Sequence, residues 1–314
     1  MTRPLKAAAL NPQVRRVFRF VPNPPVRWAW MLRLMQSGSG FGSTPKMPAG
    51  MAHRFVRLGP GAGVHVYTPA GTRTRPALLW IHGGGMVVGS ASQDHARCIK
   101  LAADLDIVVF SAEYRLAPRH PFPAPLDDCH TAWMWATGHA GELGTDPERI
   151  AVGGQSAGGG LAAGLAQRLR DEGRTQPVAQ WLFCPMLDDR TAADRDLDRV
   201  RHYLWNNVSN RAGWSAYLAT APGSPDVPAY AAPARRADLA GLAPAWIGTG
   251  DIELFYDEDR RYAQALTAAG VSCVLDVIPG GPHAFESFLS RTPLARDYLA
   301  RAERWLSDHL TPVR

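Results

Sequence analysis

Short apolar runs alternate with longer amphipathic stretches through most of the chain. The runs at 77–81 (Ala-Leu-Leu-Trp-Ile), 107–111 (Ile-Val-Val-Phe-Ser), 149–152, 178–184, 244–248 and 273–278 read as strands. Between most of them lie amphipathic segments at 93–104, 124–138, 157–171 and 257–269, and a final helix is expected at 294–309. Ahead of this series, 54–58 and 64–68 read as two strands around the Gly59–Gly63 turn. Strands that alternate with helices predict an α/β fold, a mostly parallel central sheet flanked by helices on both faces.

The alternation breaks once, between Asp188 and Leu242. This stretch carries Trp205, Trp214, Tyr217 and a Pro-rich tail at 222–233, and it is too long for a plain connection. Such insertions are often lids. Residues 1–50 are broken by prolines and carry Trp28, Trp30, Met31, Leu32, Leu34 and Met35, an apolar patch that needs another surface to cover it.

Composition narrows the classes. Hydrophobic residues make up 46% of the 314 and charged residues 20%, ordinary globular usage. The net charge is +6, but the arginines are scattered; the one basic cluster is Arg3, Lys6, Arg15, Arg16 and Arg19. No recognition motif lies beside it, so nucleic acid is not an expected partner. The four cysteines lack metal-ligand spacing, and Cys98, Cys184 and Cys273 read as small core residues suited to a reduced cytoplasm. No run approaches the roughly 20 apolar residues of a membrane span. Prolines and charges also break any signal-peptide pattern at the start, so a cytoplasmic protein is expected.

The candidate chemistry begins at Gly154-Gln155-Ser156-Ala157-Gly158, between a strand and a helix. Glycines two positions either side of a serine fit a nucleophile elbow, where the hydroxyl sits on a strained turn. The plainer alternative is a Gly-rich turn with an ordinary N-cap serine. A second motif, His82-Gly83-Gly84-Gly85, follows the 77–81 strand. Its main chain is free to approach a reacting carbonyl, and the amides of Gly83, Gly84 and Ala157 are the candidate oxyanion donors. By itself this loop would read as a phosphate-binding or merely flexible segment; beside the Ser156 elbow it does not.

Of the ten histidines, His283 stands out because it follows the last strand, on a loop able to reach the serine. His82 is read as holding its loop in shape, and His95, His120, His130 and His139 as structural. Two carboxylates, Asp251 and Glu253, compete as the acid that orients the imidazole, and spacing does not decide between them.

Together these residues resemble the hormone-sensitive lipase family of esterases, in its bacterial branch. The resemblance rests on His82–Gly85, Glu113-Tyr-Arg-Leu-Ala-Pro118 continuing through Pro121–Asp128, the Ser156 elbow, Pro185-Met-Leu-Asp-Asp189, and the acid and histidine loops. It implies an α/β-hydrolase fold with a helical cap: an N-terminal cap segment at 1–50, and a catalytic domain at 51–314 with a cap insertion at about 188–242. It also implies a carboxylesterase acting on small esters of short to medium acyl chain, with no cofactor and no metal. Laid over the family's acid segment, Glu253-Leu-Phe-Tyr-Asp-Glu258 puts the triad acid on Glu253. The family usually has Asp before the nucleophile, where this chain has Gln155. A lipase, amidase or lactonase would use the same triad, and a non-catalytic small-molecule receptor would share the fold. Relatives of this kind are often homodimers.

Overall fold

The computed structural model describes residues 3–4, 9–18 and 45–311. Lys6, Arg19, Trp28, Trp30, Met31, Leu32, Leu34 and Met35 lie outside them. Among the described residues one sheet has eight strands: β1 (Met51–Gly59), β2 (Ala62–Pro69), β3 (Arg75–Ile81), β4 (Val108–Glu113), β5 (Thr145–Gln155), β6 (Gln180–Phe183), β7 (Ala245–Gly250) and β8 (Cys273–Ile278). Their order across the sheet is β8-β7-β6-β5-β3-β4-β2-β1. Every neighbouring pair is parallel except those made by β2.

Burial explains this order. The inner strands β4, β6 and β7 are buried at every position, as the central strands of a sheet covered on both faces must be. The outer strands β1 and β8 mix exposed and half-buried positions, so polar residues are tolerated at both sheet edges.

Successive residues of each strand feed opposite faces. Leu79, Ile81, Phe110 and Val152 pack with Trp133, Leu161 and Leu266, from helices Ala124–Gly138, Ala157–Asp171 and Tyr256–Ala268. Leu78, Trp80, Val109 and Ala151 face the other way, onto Leu101 and Leu306 of helices His95–Leu105 and Pro293–Leu310. On that second face Trp80, Trp181, Phe183, Trp246 and Tyr298 form a continuous aromatic group. The guanidinium of Arg97 lies over Phe183 and Trp80, 4.2 Å and 4.3 Å from the ring centres.

Two further segments reach the sheet's carboxyl ends. The long connection after β6 carries helices Asp189–Ala193 and Asn207–Leu218, and its Trp214 and Tyr217 are fully buried in the first core. The helix Pro12–Phe18 packs on the second core through Val14 and Phe18. Just ahead of it, Asn11 bonds the 279–280 turn: its backbone N–H donates to Gly280 O at 2.9 Å and its Nδ2 to Pro279 O at 3.1 Å.

Candidate active site

β5 ends at Gln155 and a helix begins at Ala157, so Ser156 takes the whole change of direction, with φ 56° and ψ −121°. A non-glycine residue at positive φ is costly and persists only where its surroundings hold it. Here the Ser156 amide donates to Phe183 O at 2.8 Å, and its carbonyl accepts from Met186 N at 2.9 Å and Gly160 N at 3.1 Å. The flanking glycines follow from crowding: a Cβ on Gly154 would lie 2.4 Å from the Gly158 carbonyl, and one on Gly158 only 2.1 Å from that of Ile81. The helix that starts here directs its positive dipole end at the same corner.

The loop after β3 lies against this elbow. A Cβ built on Gly83 would come within 3.4 Å of the Ser156 Cβ. Two donors hold the Gly83 carbonyl, His82 Nδ1 at 2.8 Å and Gln93 Nε2 at 3.3 Å. Burial lowers the His82 pKa to about 4, so the ring is neutral and holds the loop through Nδ1–H. It stacks on Tyr114 at 4.2 Å, and the Tyr114 hydroxyl donates to the His82 carbonyl at 2.9 Å. Among the described residues, none accepts a hydrogen bond from the amides of Gly83, Gly84 or Ala157.

The stretch from Glu113 to Asp128 forms the support beneath. Arg115 donates to Asp128 through its backbone N, Nε and Nη2 at 2.8–2.9 Å, tying the end of β4 to the Ala124–Gly138 helix. That tie keeps Tyr114 under His82. Glu113 accepts from the Ala91 amide at 3.0 Å, and burial raises its pKa to about 7.

His283 bridges two other elements. Its Nε2 lies 3.0 Å from Ser156 Oγ and its Nδ1 2.7 Å from Glu253 Oε2. The other Glu253 oxygen accepts from Thr249 Oγ1 at 2.7 Å, which fixes the carboxylate. All three side chains are buried. With Nδ1–H donated to the carboxylate, Nε2 is left as an acceptor for the serine hydroxyl. Asp251 does something else: it is exposed, and its Oδ1 accepts from the Gly280 amide at 2.6 Å. It shapes the histidine loop without touching the ring.

Several groups here carry no local motif. Asp259, buried near Glu253, has its pKa pushed well up by burial and then by the charges of Glu253 and Glu258. His202, from the connection after β6, is held below its usual pKa by burial, with the Glu253 charge opposing. Gln155 Nε2 donates to Glu286 Oε1 at 2.5 Å and Ser287 Oγ at 2.7 Å. The Trp205 ring lies against Gly85, where a Cβ would come within 2.4 Å of it. The contacts of His202, Gln155 and Trp205 join segments far apart in the chain, whereas Asp259 meets Glu253 and Glu258 of its own segment.

Among the described residues, no cluster of His, Cys, Asp or Glu is arranged to hold a metal ion. None of their helices is long and apolar enough to cross a membrane.

A family model described as an alpha/beta hydrolase fold matches residues 78–287. Carboxylesterase NlhH of Mycobacterium tuberculosis is 37% identical over 245 residues, covering 76% of this chain and 75% of that protein. An ethyl acetate hydrolase of Pseudomonas putida is 34% identical over 235 residues, covering 74% and 73%. Among solved structures, a bacterial heroin esterase superposes with a TM-score of 0.85 at 34% identity, covering 98% of this chain and 100% of that one.

Proposed function

The chain belongs to the α/β-hydrolase-fold family, in its hormone-sensitive-lipase-like branch, and is a carboxylic ester hydrolase, and from this premise we propose that it cleaves short- to medium-chain acyl esters through Ser156, His283 and Glu253. The observation that carries the proposal is the imidazole of His283, hydrogen-bonded at one nitrogen to Ser156 Oγ and at the other to Glu253.

In this mechanism His283 Nε2 takes the serine proton as Oγ attacks the ester carbonyl. Glu253 keeps the ring in the Nδ1–H tautomer and stabilises the imidazolium that forms. The carbonyl oxygen gains negative charge and meets the amides of Gly83, Gly84 and Ala157. These donors are fixed beforehand by the His82–Tyr114 stack and the helix start, so they need no rearrangement as charge develops. The alcohol leaves with the proton from His283, and a water molecule repeats the sequence on the acyl-enzyme. Only protons and an acyl group move, so the chemistry calls for no cofactor.

Ethyl acetate, the ester named for the Pseudomonas relative, is a small member of the proposed substrate class. The reading includes a cytoplasmic enzyme, with homodimerisation as its one expected protein contact, which light scattering would read. Ser156→Ala should remove essentially all turnover of p-nitrophenyl acetate and butyrate while circular dichroism stays unchanged. A purified variant that still turns them over overturns the assignment. A p-nitrophenyl series from acetate to laurate tests the chain-length range, and a maximum at laurate would contradict it.

A further inference from the structure

We propose that Gln155 and Glu286 are a matched pair of positioning residues that clamp the histidine loop to the nucleophile elbow. The proposal rests on the triad reading above and adds a part to it.

Gln155 directly precedes Ser156, and Glu286 lies three residues after His283. Ser156 and His283 belong to different segments, and the reaction needs their side chains held at 3.0 Å. One amide group links the two segments: Gln155 Nε2 donates to Glu286 Oε1 at 2.5 Å and to Ser287 Oγ at 2.7 Å. A primary amide has two N–H donors, so each bond uses its own hydrogen. Both Gln155 and Glu286 are buried, where breaking such a bond leaves a polar group without compensation from water.

The chemistry of the two positions is interdependent. Glu286 faces Arg97 from the His95–Leu105 helix, His283 on its own loop, Cys184 after β6 and Tyr298 on the last helix. Burial raises the pKa of Glu286, opposed by Arg97 and by the bond from Gln155. An aspartate at 155, the residue the family resemblance leads one to expect, would set a second carboxyl group against Glu286. Two carboxylates at hydrogen-bonding distance do not both ionise readily; they share a proton or move apart. A neutral donor at 155 is therefore what a glutamate at 286 requires. Glu286 and Ser287 also line a cavity of about 280 Å³ with Arg97 and Lys100.

The test is the kcat–pH profile with p-nitrophenyl butyrate for wild type, Gln155→Asp, Glu286→Gln and the double swap, with Ser156→Ala as control. In Gln155→Asp the pair holds while it shares a proton and repels once the second proton leaves. A new alkaline limb should appear, with kcat down about tenfold at its foot and KM within about twofold. Glu286→Gln alone keeps an acceptor for Gln155, adds no limb and lowers kcat by about threefold at most. In the double swap the amide donates from 286 to a carboxylate at 155, so the limb should vanish and kcat return to within about threefold of wild type.

A wild-type profile in Gln155→Asp, or a double swap as impaired as the single variant, overturns the clamp. If Gln155→Asp does not fold, the double swap must still return folded enzyme without the alkaline limb, and its failure counts equally against the proposal. Failure of the triad reading would show separately, as activity retained in Ser156→Ala.

Discussion

Gly158 lies so close to the end of β3 that a Cβ added to it would stand 2.1 Å from the carbonyl oxygen of Ile81. This contact presses the first turn of the elbow helix against the strand that leads into His82–Gly85, so both sides of the proposed oxyanion hole share one wall. Gly158→Ala should destabilise the protein by about 3 kcal/mol or more, because backbone on both sides must shift. It should also lower kcat by about 100-fold where the variant folds. Gly138→Ala is the contrast: it ends a helix, and nothing lies within 4 Å of a Cβ there. That change should be neutral or stabilise by up to about 1 kcal/mol. Urea midpoints for the two variants check both outcomes, and equal midpoints would refute the steric argument.

The roles proposed for Glu253 and Asp251 can be separated in the same way. Glu253→Gln keeps an oxygen for the imidazole but loses the charge, and its amide nitrogen favours the wrong tautomer of His283. A fall in kcat of about 10²–10⁴ is expected. Asp251→Asn keeps an acceptor for the Gly280 amide at an exposed position and should change kcat by less than about threefold. A severe loss confined to the second variant would reverse the assignment.

Much of this was readable before any coordinates, and the exceptions have physical causes. The helices at 124–138 and 157–171 and the strand at 273–278 have the bounds their apolar patterns predict. β5 begins at Thr145, earlier than the apolar run at 149 suggests. Its first residues, Asp146-Pro147-Glu148, carry no strand pattern, and the pairing of Arg75 with Thr145 is separated from the regular ladder by a register shift. Ser156, His283 and the glycine loop announce themselves because a strained turn and an open backbone each need particular residues in a row. Spacing leaves Asp251 and Glu253 open because it encodes neither reach nor burial: Glu253 Oε2 lies 2.7 Å from the His283 ring, while the exposed Asp251 bonds the Gly280 amide. Glu286 and His202 were invisible because Gln155, Arg97 and Glu253 lie in other segments, and Asp259 because its burial cannot be read from its spacing to Glu253 and Glu258. The tryptophans after β6 looked alike in sequence, yet Trp214 enters the core and Trp205 rests on the glycine loop.

Trp205 supports a prediction about chain length. Its half-buried ring covers Gly85, beside the proposed oxyanion donors, and its Nε1 donates to Asn210 Oδ1 at 3.3 Å. Trp205→Ala removes that wall without touching the triad. The ratio of kcat/KM for the hexanoate over the butyrate p-nitrophenyl ester should rise by about tenfold, the scale on which an apolar pocket discriminates a methylene or two. An unchanged ratio would remove Trp205 from the acyl site.

Glu113 yields a stability prediction whose sign is fixed by its burial. Its carboxyl group titrates at about 7 in the folded protein, against an ordinary value near 4.5. The folded state thus holds this proton more tightly than the unfolded chain. The favourable contribution is fully present below about pH 4.5 and is lost as pH rises to about 7, where folding must bury a charge that the unfolded chain leaves in water. Glu113→Gln keeps an oxygen for the Ala91 amide and removes the titration. The variant should therefore gain on wild type as pH increases from 4.5 to 7, by roughly 2–3 kcal/mol in all, with no further change above that window. Paired urea denaturations at pH 5 and pH 8 measure the difference. A gap that stayed constant, or that widened in favour of wild type at pH 8, would mean that Glu113 holds its charge in the fold without penalty, and that the carboxylate anchors the Ala91 amide rather than tolerating it.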